Sequence, residues 1–299
     1  MAWDLSAKGQ ALRRMLSVSA GLVLPLGKQG HNGEQTMTDE KLYGVHPVLE
    51  ALQAERRHIR QVLISAQRRG AEVQRIIALA ERRGIPVVTV ERAQLQQLLG
   101  HKAHQGVVAL TAPHAYQPWA EVIAYVTATP GPHTLLCLDG VTDVGNFAAL
   151  IRSAAAFGVY AILLPRHETV PLTPAVAKRS AGAIERMSIV RVANLVRALD
   201  ELKQHGFWVY GADIQAALTV AQVAWPERAV LVLGAESGGI RRLVRERCDS
   251  LVRIPMHART NSLNVAAAGA IILAYRWDHC AASCGQPEGD KSHPGPISR

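Results

Sequence analysis

Val252-Arg253-Ile254-Pro255-Met256-His257-Ala258-Arg259-Thr260-Asn261-Ser262-Leu263-Asn264 runs directly into residues 265–274, ten residues without a charge. The apolar residues before Pro255 read as a strand and the uncharged run as a helix that must be buried. The polar cluster between them therefore opens a buried helix, whose first turn brings unpaired backbone N–H groups and side-chain amides into the interior. Asn261 and Ser262 suit plain capping, which leaves Asn264 without a role of that kind. A turn at the C-terminal end of a strand is also where α/β proteins bind ligands.

Two strand-to-helix turns of the same character lie upstream. Residues 230–233, all apolar, lead into Gly234-Ala235-Glu236-Ser237-Gly238-Gly239-Ile240. Glycines there let backbone approach a ligand, and Glu236 can accept hydrogen bonds or meet a cation. Earlier, Leu138-Asp139-Gly140-Val141-Thr142-Asp143-Val144-Gly145-Asn146 precedes a helical stripe of Phe147, Leu150, Ile151, Ala154 and Ala155. That stripe turns Arg152 away from the apolar face. Asn146 suits the N-cap. Taken singly, each turn has a plain structural reading: a cap, a surface arginine, a tight turn with a capping carboxylate. Neither G-x-G-x-x-G nor G-x-x-x-x-G-K-[ST] is present, which disfavours an ordinary dinucleotide or phosphate-loop site.

Outward from these turns the chain divides. Residues 41–55 carry Val45, Val48, Leu49 and Leu52 at helical spacing, and 58–65 read as a strand. Residues 68–83, with Val73, Ile76, Ile77 and Ala80, form an amphipathic helix ending at Gly84. A strand at 85–90, a helix at 93–99 and a strand at 106–110 complete an αβαβαβ order, a small α/β domain over residues 39–112. Pro113, Pro118, Pro130, Gly131 and Pro132 mark a linker at 113–131, with a helical turn or more at 119–126. In residues 132–279, short apolar runs alternate with helical patterns, the signature of a mostly parallel sheet covered on both faces. Residues 1–38 read as a disordered extension and 280–299, rich in Gly, Pro, Ser and charge, as a disordered tail.

The net charge of +9 favours a polyanionic partner. Arg56, Arg57, Arg60, Arg68, Arg69, Arg75, Arg82 and Arg83 crowd one part of the first domain, residues 56–83, against only Glu72 and Glu81 in that span, a pattern suited to phosphate. With aromatics at 5%, recognition of a folded RNA by shape is expected ahead of base stacking. Cys137, Cys248, Cys280 and Cys284 are too sparse for a disulfide framework and point to a reducing compartment. No stretch nears the roughly 20 apolar residues of a membrane span. Residues 16–26 after Arg13 and Arg14 resemble an export signal without the usual cleavage pattern. His279, Cys280 and Cys284 lack a second ligand pair at zinc-like spacing, and His101 and His104 read as loop residues.

The ordered trio of Asn146 with Arg152, Gly234-Ala235-Glu236, and Ile254-Pro255-Met256 with Ser262-Leu263-Asn264 resembles the three motifs of the SPOUT superfamily, in particular its TrmH-type RNA 2'-O-ribose methyltransferases. Tyr43-Gly44-Val45-His46-Pro47-Val48-Leu49-Glu50-Ala51 and His104-Gln105-Gly106-Val107-Val108 resemble that family's L30e-like RNA-binding domain, most closely in the bacterial 23S rRNA guanosine-2'-O-methyltransferases. The resemblance covers residues 41–277 and implies a C-terminal trefoil knot, an exception to the usual rule against knots. It implies S-adenosylmethionine (SAM) as methyl donor, no metal, a structured RNA substrate, a homodimer and a cytoplasmic setting. Gly234, Ile254 and Leu263, with Ala235 and Met256, would hold SAM. Arg152, Asn146, Glu236, Ser262 and Asn264 would serve the reaction. The alternatives are transfer RNA as substrate, or a non-catalytic RNA-binding or ribosome-assembly protein of the same fold. Ser237, Ala148 and Ala258 depart from the family's usual glycines, each adding a side chain near a tight turn.

Overall fold

The computed structural model describes residues 39–257 and 262–283, so the N-terminal extension, the export-like stretch, Ala258, Asn261 and Cys284 lie outside the described residues. The first sheet is built from β1 (Glu40–Tyr43), β2 (Ile59–Ser65), β3 (Val87–Val90) and β4 (Val107–Thr111) in the order β1-β4-β2-β3. Three helices accompany them: α1 (Val45–Ala54), α2 (Ala71–Arg82) and α3 (Arg92–Leu99). Of the helical residues expected to face inward, Val45, Val48, Leu49 and Leu52 are buried on α1 and Val73, Ile76 and Ala80 on α2, while Ile77 is partly buried. The expected order lacked β1, which pairs antiparallel with β4. Four residues with only Leu42 buried offer too short an alternation to be read as a strand.

The second sheet has seven strands, all paired in parallel, in the order β7-β6-β5-β10-β8-β11-β9. They are β5 (His133–Asp139), β6 (Val159–Pro165), β7 (Ser188–Val192), β8 (Trp208–Ala212), β9 (Leu218–Thr219), β10 (Arg228–Gly234) and β11 (Ser250–Arg253). The helices are α4 (Trp119–Ala128), α5 (Val144–Ala156), α6 (Pro174–Arg179), α7 (Leu195–Gln204), α8 (Arg242–Arg245) and α9 (Val265–Ser283), with a 3-10 turn at Ala183–Arg186. Period-two alternation sorts the strand residues between two cores. Leu136, Leu138, Ile162, Leu164, Leu231 and Leu233 share the face of Phe147 and Ile151, whereas Leu135, Cys137, Leu163, Val230 and Val232 share that of Val122, Leu199 and Leu202. The strand order reverses beside β5 and β10, the switch point at which open α/β sheets hold ligands.

The passage expected as a linker contains α4, whose Val122 and Val126 are fully buried against the second sheet. Helix α9 runs to Ser283, past the residue at which a tail was expected to begin.

One arginine of the expected RNA face is placed elsewhere. Arg57 is buried, its Nε 3.0 Å from Glu185 Oε2, its Nη1 3.5 Å from Glu40 and donating to Thr111 Oγ1 at 3.0 Å. An ion this far from water needs such partners, so Arg57 ties the first sheet to the 3-10 turn and is withdrawn from the phosphate-facing set. Arg60 pairs with Asp39, and Arg83 donates to the Leu52 carbonyl. Arg56, Arg68, Arg69, Arg75 and Arg82 are exposed. Burial pushes the Glu185 carboxyl up to about 7 against the attraction of Arg57, and the neighbouring His114, whose Nε2 meets the Ile184 carbonyl, is held down at about 4 by burial and by Arg57.

Candidate active site

Helix α5 starts one turn earlier than expected. Asp143 is its N-cap, Oδ1 accepting the Asn146 backbone N–H at 2.7 Å, so Asn146 occupies the third helical position and is not the cap. Both residue types cap well, and the choice of Asp143 frees the Asn146 side chain. Its Nδ2 donates to Glu236 Oε1 at 3.0 Å.

Asn264 is itself the cap of α9, its Oδ1 accepting from the Ala266 N–H at 3.0 Å and the Ala267 N–H at 3.3 Å. Its Nδ2 donates to Asn146 Oδ1 and to Glu236 Oε1, each at 2.7 Å. Three residues from three distant turns thus close a ring of hydrogen bonds. A carboxylate is the natural centre of such a ring, since it accepts only and takes two donors on one oxygen. Glu236 Oε2 has no partner among the described residues, and the side chain is exposed.

The glycine-rich turn is held in shape by its own backbone. Ala235 and Gly239 exchange N–H···O bonds at 3.0 and 2.9 Å. A Cβ on Gly234 would lie 2.0 Å from the Gly239 carbonyl carbon, so no side chain fits there. At the far end, Asp139, fully buried on β5, accepts the Arg241 backbone N–H on Oδ2 at 2.8 Å and Arg241 Nε on Oδ1 at 2.7 Å. Neither Asp139 nor Arg241 was singled out from sequence. An aspartate directly after the apolar run of residues 135–138 was the available signal.

Beside this turn opens a cavity of about 610 Å³. All five residues expected around SAM line it, namely Gly234, Ala235, Ile254, Met256 and Leu263, and so do Glu236 and Ser262. The Asp213–Arg245 ion pair, 2.8 Å between Nη2 and Oδ2, stands in the same wall. Asn146 and Asn264 meet the cavity through Glu236 and do not line it. Arg152 is exposed and apart from it, lining two other clefts. Ala148, in place of a usual glycine, is buried inside α5, and Ser237 is exposed in the turn. His104 is fully buried, its Nδ1 accepting the Gly106 N–H at 3.0 Å, so it is a loop staple. Among the described residues no His, Cys, Asp and Glu group could hold a metal, and no helix is long and apolar enough to cross a membrane.

Residues 133–274 match the SpoU rRNA methylase family, and residues 41–117 match a family described as the RNA 2'-O ribose methyltransferase substrate-binding domain. The chain is similar to the 23S rRNA (guanosine-2'-O-)-methyltransferase RlmB of Pseudomonas putida, 38% identical over 78% of this chain and 94% of that one. It is also similar to RlmB of Pseudomonas aeruginosa, 39% identical over the same shares. Among solved structures, the SpoU methyltransferase AviRb of Streptomyces viridochromogenes in complex with AdoMet has the same fold. The TM-score is 0.67 at 23% identity, covering 83% of this chain and 92% of that one. From relatives that the chain spans almost end to end, and from both matched families in their order, the chain belongs to the SpoU rRNA methylase family.

Proposed function

We propose that this chain methylates the 2'-oxygen of a ribose, that of a guanosine in 23S rRNA, with SAM as donor. The observation that carries the proposal is the Asn146–Glu236–Asn264 ring standing beside a cavity made by two of the same three turns. The cavity suits SAM: about 610 Å³ is within the range of pockets that take a ligand of that size, and Gly234 lines it in a turn whose close backbone approach to Gly239 admits no side chain. Bound SAM supplies an electrophilic sulfonium methyl group. Gly234, Ala235, Ile254, Met256 and Leu263 would hold it, and Glu236, Asn146, Asn264 and Ser262 would orient the acceptor ribose in a near-attack geometry. Arg152 is always protonated, so its role is to grip the neighbouring phosphate and stabilise negative charge developing on the 2'-oxygen.

The rRNA substrate named for the relatives supports a ribosomal target over transfer RNA. The direct test is transfer of labelled methyl from SAM to 23S rRNA lacking 2'-O-methylation, followed by nuclease mapping. Label in a single 2'-O-methylguanosine is expected; RNA binding without transfer would favour the non-catalytic alternative. Arg152→Ala should nearly abolish transfer and leave SAM binding intact, and full turnover in that variant would remove Arg152 from the reaction.

At larger scale we infer two domains, an L30e-like RNA-binding domain at 39–112 and a SPOUT domain at 132–279. The separate family matches support the division. A trefoil knot is supported by the return of α9 onto α5, where Gly269 meets Leu150 and Leu233, while Ile254, Met256, Ser262 and Leu263 line the same cavity as residues 234–240. We infer a homodimer with the site completed at the interface, a reading supported by the exposure of Arg152 apart from the cavity. A cytoplasmic site of action follows from an rRNA substrate.

A further inference from the structure

The ring and the cavity leave the two clefts that meet at Arg152 unexplained. One, about 450 Å³, has Arg186 in its wall together with Arg152, over a floor that includes Ala155 and Ala183. The other, about 440 Å³, has Arg179 together with Arg152, over Gly145 and Ala149. No carboxylate lines either cleft. Arg179 ends α6, and a Cβ on Gly145 would sit 3.3 Å from its Nη1 and 3.0 Å from Asp143 Oδ1, so this cation lies over the first turn of α5, on the side of its capping carboxylate. Arg152 and Arg179 have no ion-pair partner among the described residues, whereas Arg186 Nε is 3.0 Å from Glu50 Oε2 on α1. Arg152 and Arg179, facing small residues with no ion-pair partner, are suited to a slender anion, and Arg186 adds a third cation whose charge is shared with Glu50.

We propose that Arg179 and Arg186 are phosphodiester-binding residues, holding the RNA backbone on either side of the phosphate that Arg152 takes. The proposal rests on the phosphate role assigned to Arg152 above. Backbone contacts of this kind carry no sequence information but fix register, which here means bringing one 2'-oxygen, and not its neighbours, opposite the cavity.

The experiment measures binding of in vitro transcribed, unmethylated 23S rRNA to the full-length chain across salt concentrations, alongside the KM for that RNA and the affinity for SAM. Arg179→Gln and Arg186→Gln should each weaken RNA binding about tenfold and lower the log–log salt slope by about 0.7–0.9. SAM affinity should not change. Arg179→Lys should keep the salt slope and lose only part of the affinity, since the charge remains and the fork is lost. Glu50→Gln separates two roles for Arg186: unchanged RNA affinity is expected, whereas a loss equal to that of Arg186→Gln would mean that Arg186 acts only as a fastener to α1. Unchanged affinity and slope in both glutamine variants would overturn the proposal. Because binding is read without turnover, that result is distinct from failure of the methyltransferase reading, which would appear as RNA binding with no transfer.

Discussion

Glu236 Oε1 takes two amide donors at once, and that fact decides what substitutions at the ring do. Glu236→Gln keeps the shape but offers a weaker acceptor and an N–H that clashes with Asn146 and Asn264 if the amide turns. Turnover is expected to fall on the order of a hundredfold, the usual result of a misplaced reacting group, with SAM affinity little altered. Single-turnover methyl transfer beside calorimetric SAM binding checks this, and unchanged turnover would detach the ring from the reaction. Arg241→Ala is a different kind of loss, since it strands a fully buried Asp139 carboxylate. Because the Arg241 side chain is itself half-exposed, a cost of about 2 kcal/mol is expected, below that of a fully buried pair. Thermal melts would show it, and an unchanged Tm would mean that water replaces the guanidinium. At this scale the sequence was legible in kind but not in detail. It pointed to Asn146, Glu236 and Asn264, yet it set Asn146 at the N-cap because Asp143 and Asn146 both suit that position, and only the packing of α5 chooses between them.

Elements were legible where periodicity was long and strong. The α2 stripe and the buried strands β5, β6 and β10 sit where their patterns put them. β1 was not, because four residues carry too little alternation, and α4 was legible as a helical turn or more at 119–126 but was assigned to a linker, because the flanking prolines and Gly131 masked its packing through two buried valines. Closure of α9 over the sheet depends on long-range packing that no local pattern carries. Gly269 is the tightest point of that closure, as a Cβ there would fall 2.5 Å from Leu150 Cδ2 and 2.7 Å from Leu233 Cδ1. Gly269→Ala gains about 1 kcal/mol of helix propensity and meets an overpacking cost of about 1–3 kcal/mol. A net lowering of Tm is therefore expected, and a raised Tm would show that both leucines move aside freely.

For the molecule as a whole, the buried cluster between the two sheets sets how stability responds to pH. Glu185, raised to about 7 from 4.5, favours the folded state most at low pH, and that contribution is lost as pH rises from 4.5 to 7. His114, lowered to about 4 from 6.5, acts oppositely, its contribution being lost as pH falls from 6.5 to 4. The two nearly cancel between pH 4.5 and 6.5, so a flat profile is expected there. His114→Asn should unmask the Glu185 slope, up to about 1.4 kcal/mol per pH unit, in denaturant melts over that window. A variant profile as flat as the parent's would mean that Glu185 keeps its charge beside Arg57.

The span of the ring has a further consequence, for the protein during its own synthesis. Asn264 follows Asn146 by 118 residues and Glu236 by 28, and it brings the donor that closes the ring on the other two. Folding proceeds from the N-terminus as the chain leaves the ribosome, so the first domain and most of the second sheet can form while the ring is still open. A nascent chain is then able to hold RNA before it is able to modify it, and activity switches on only when α9 is released and docks.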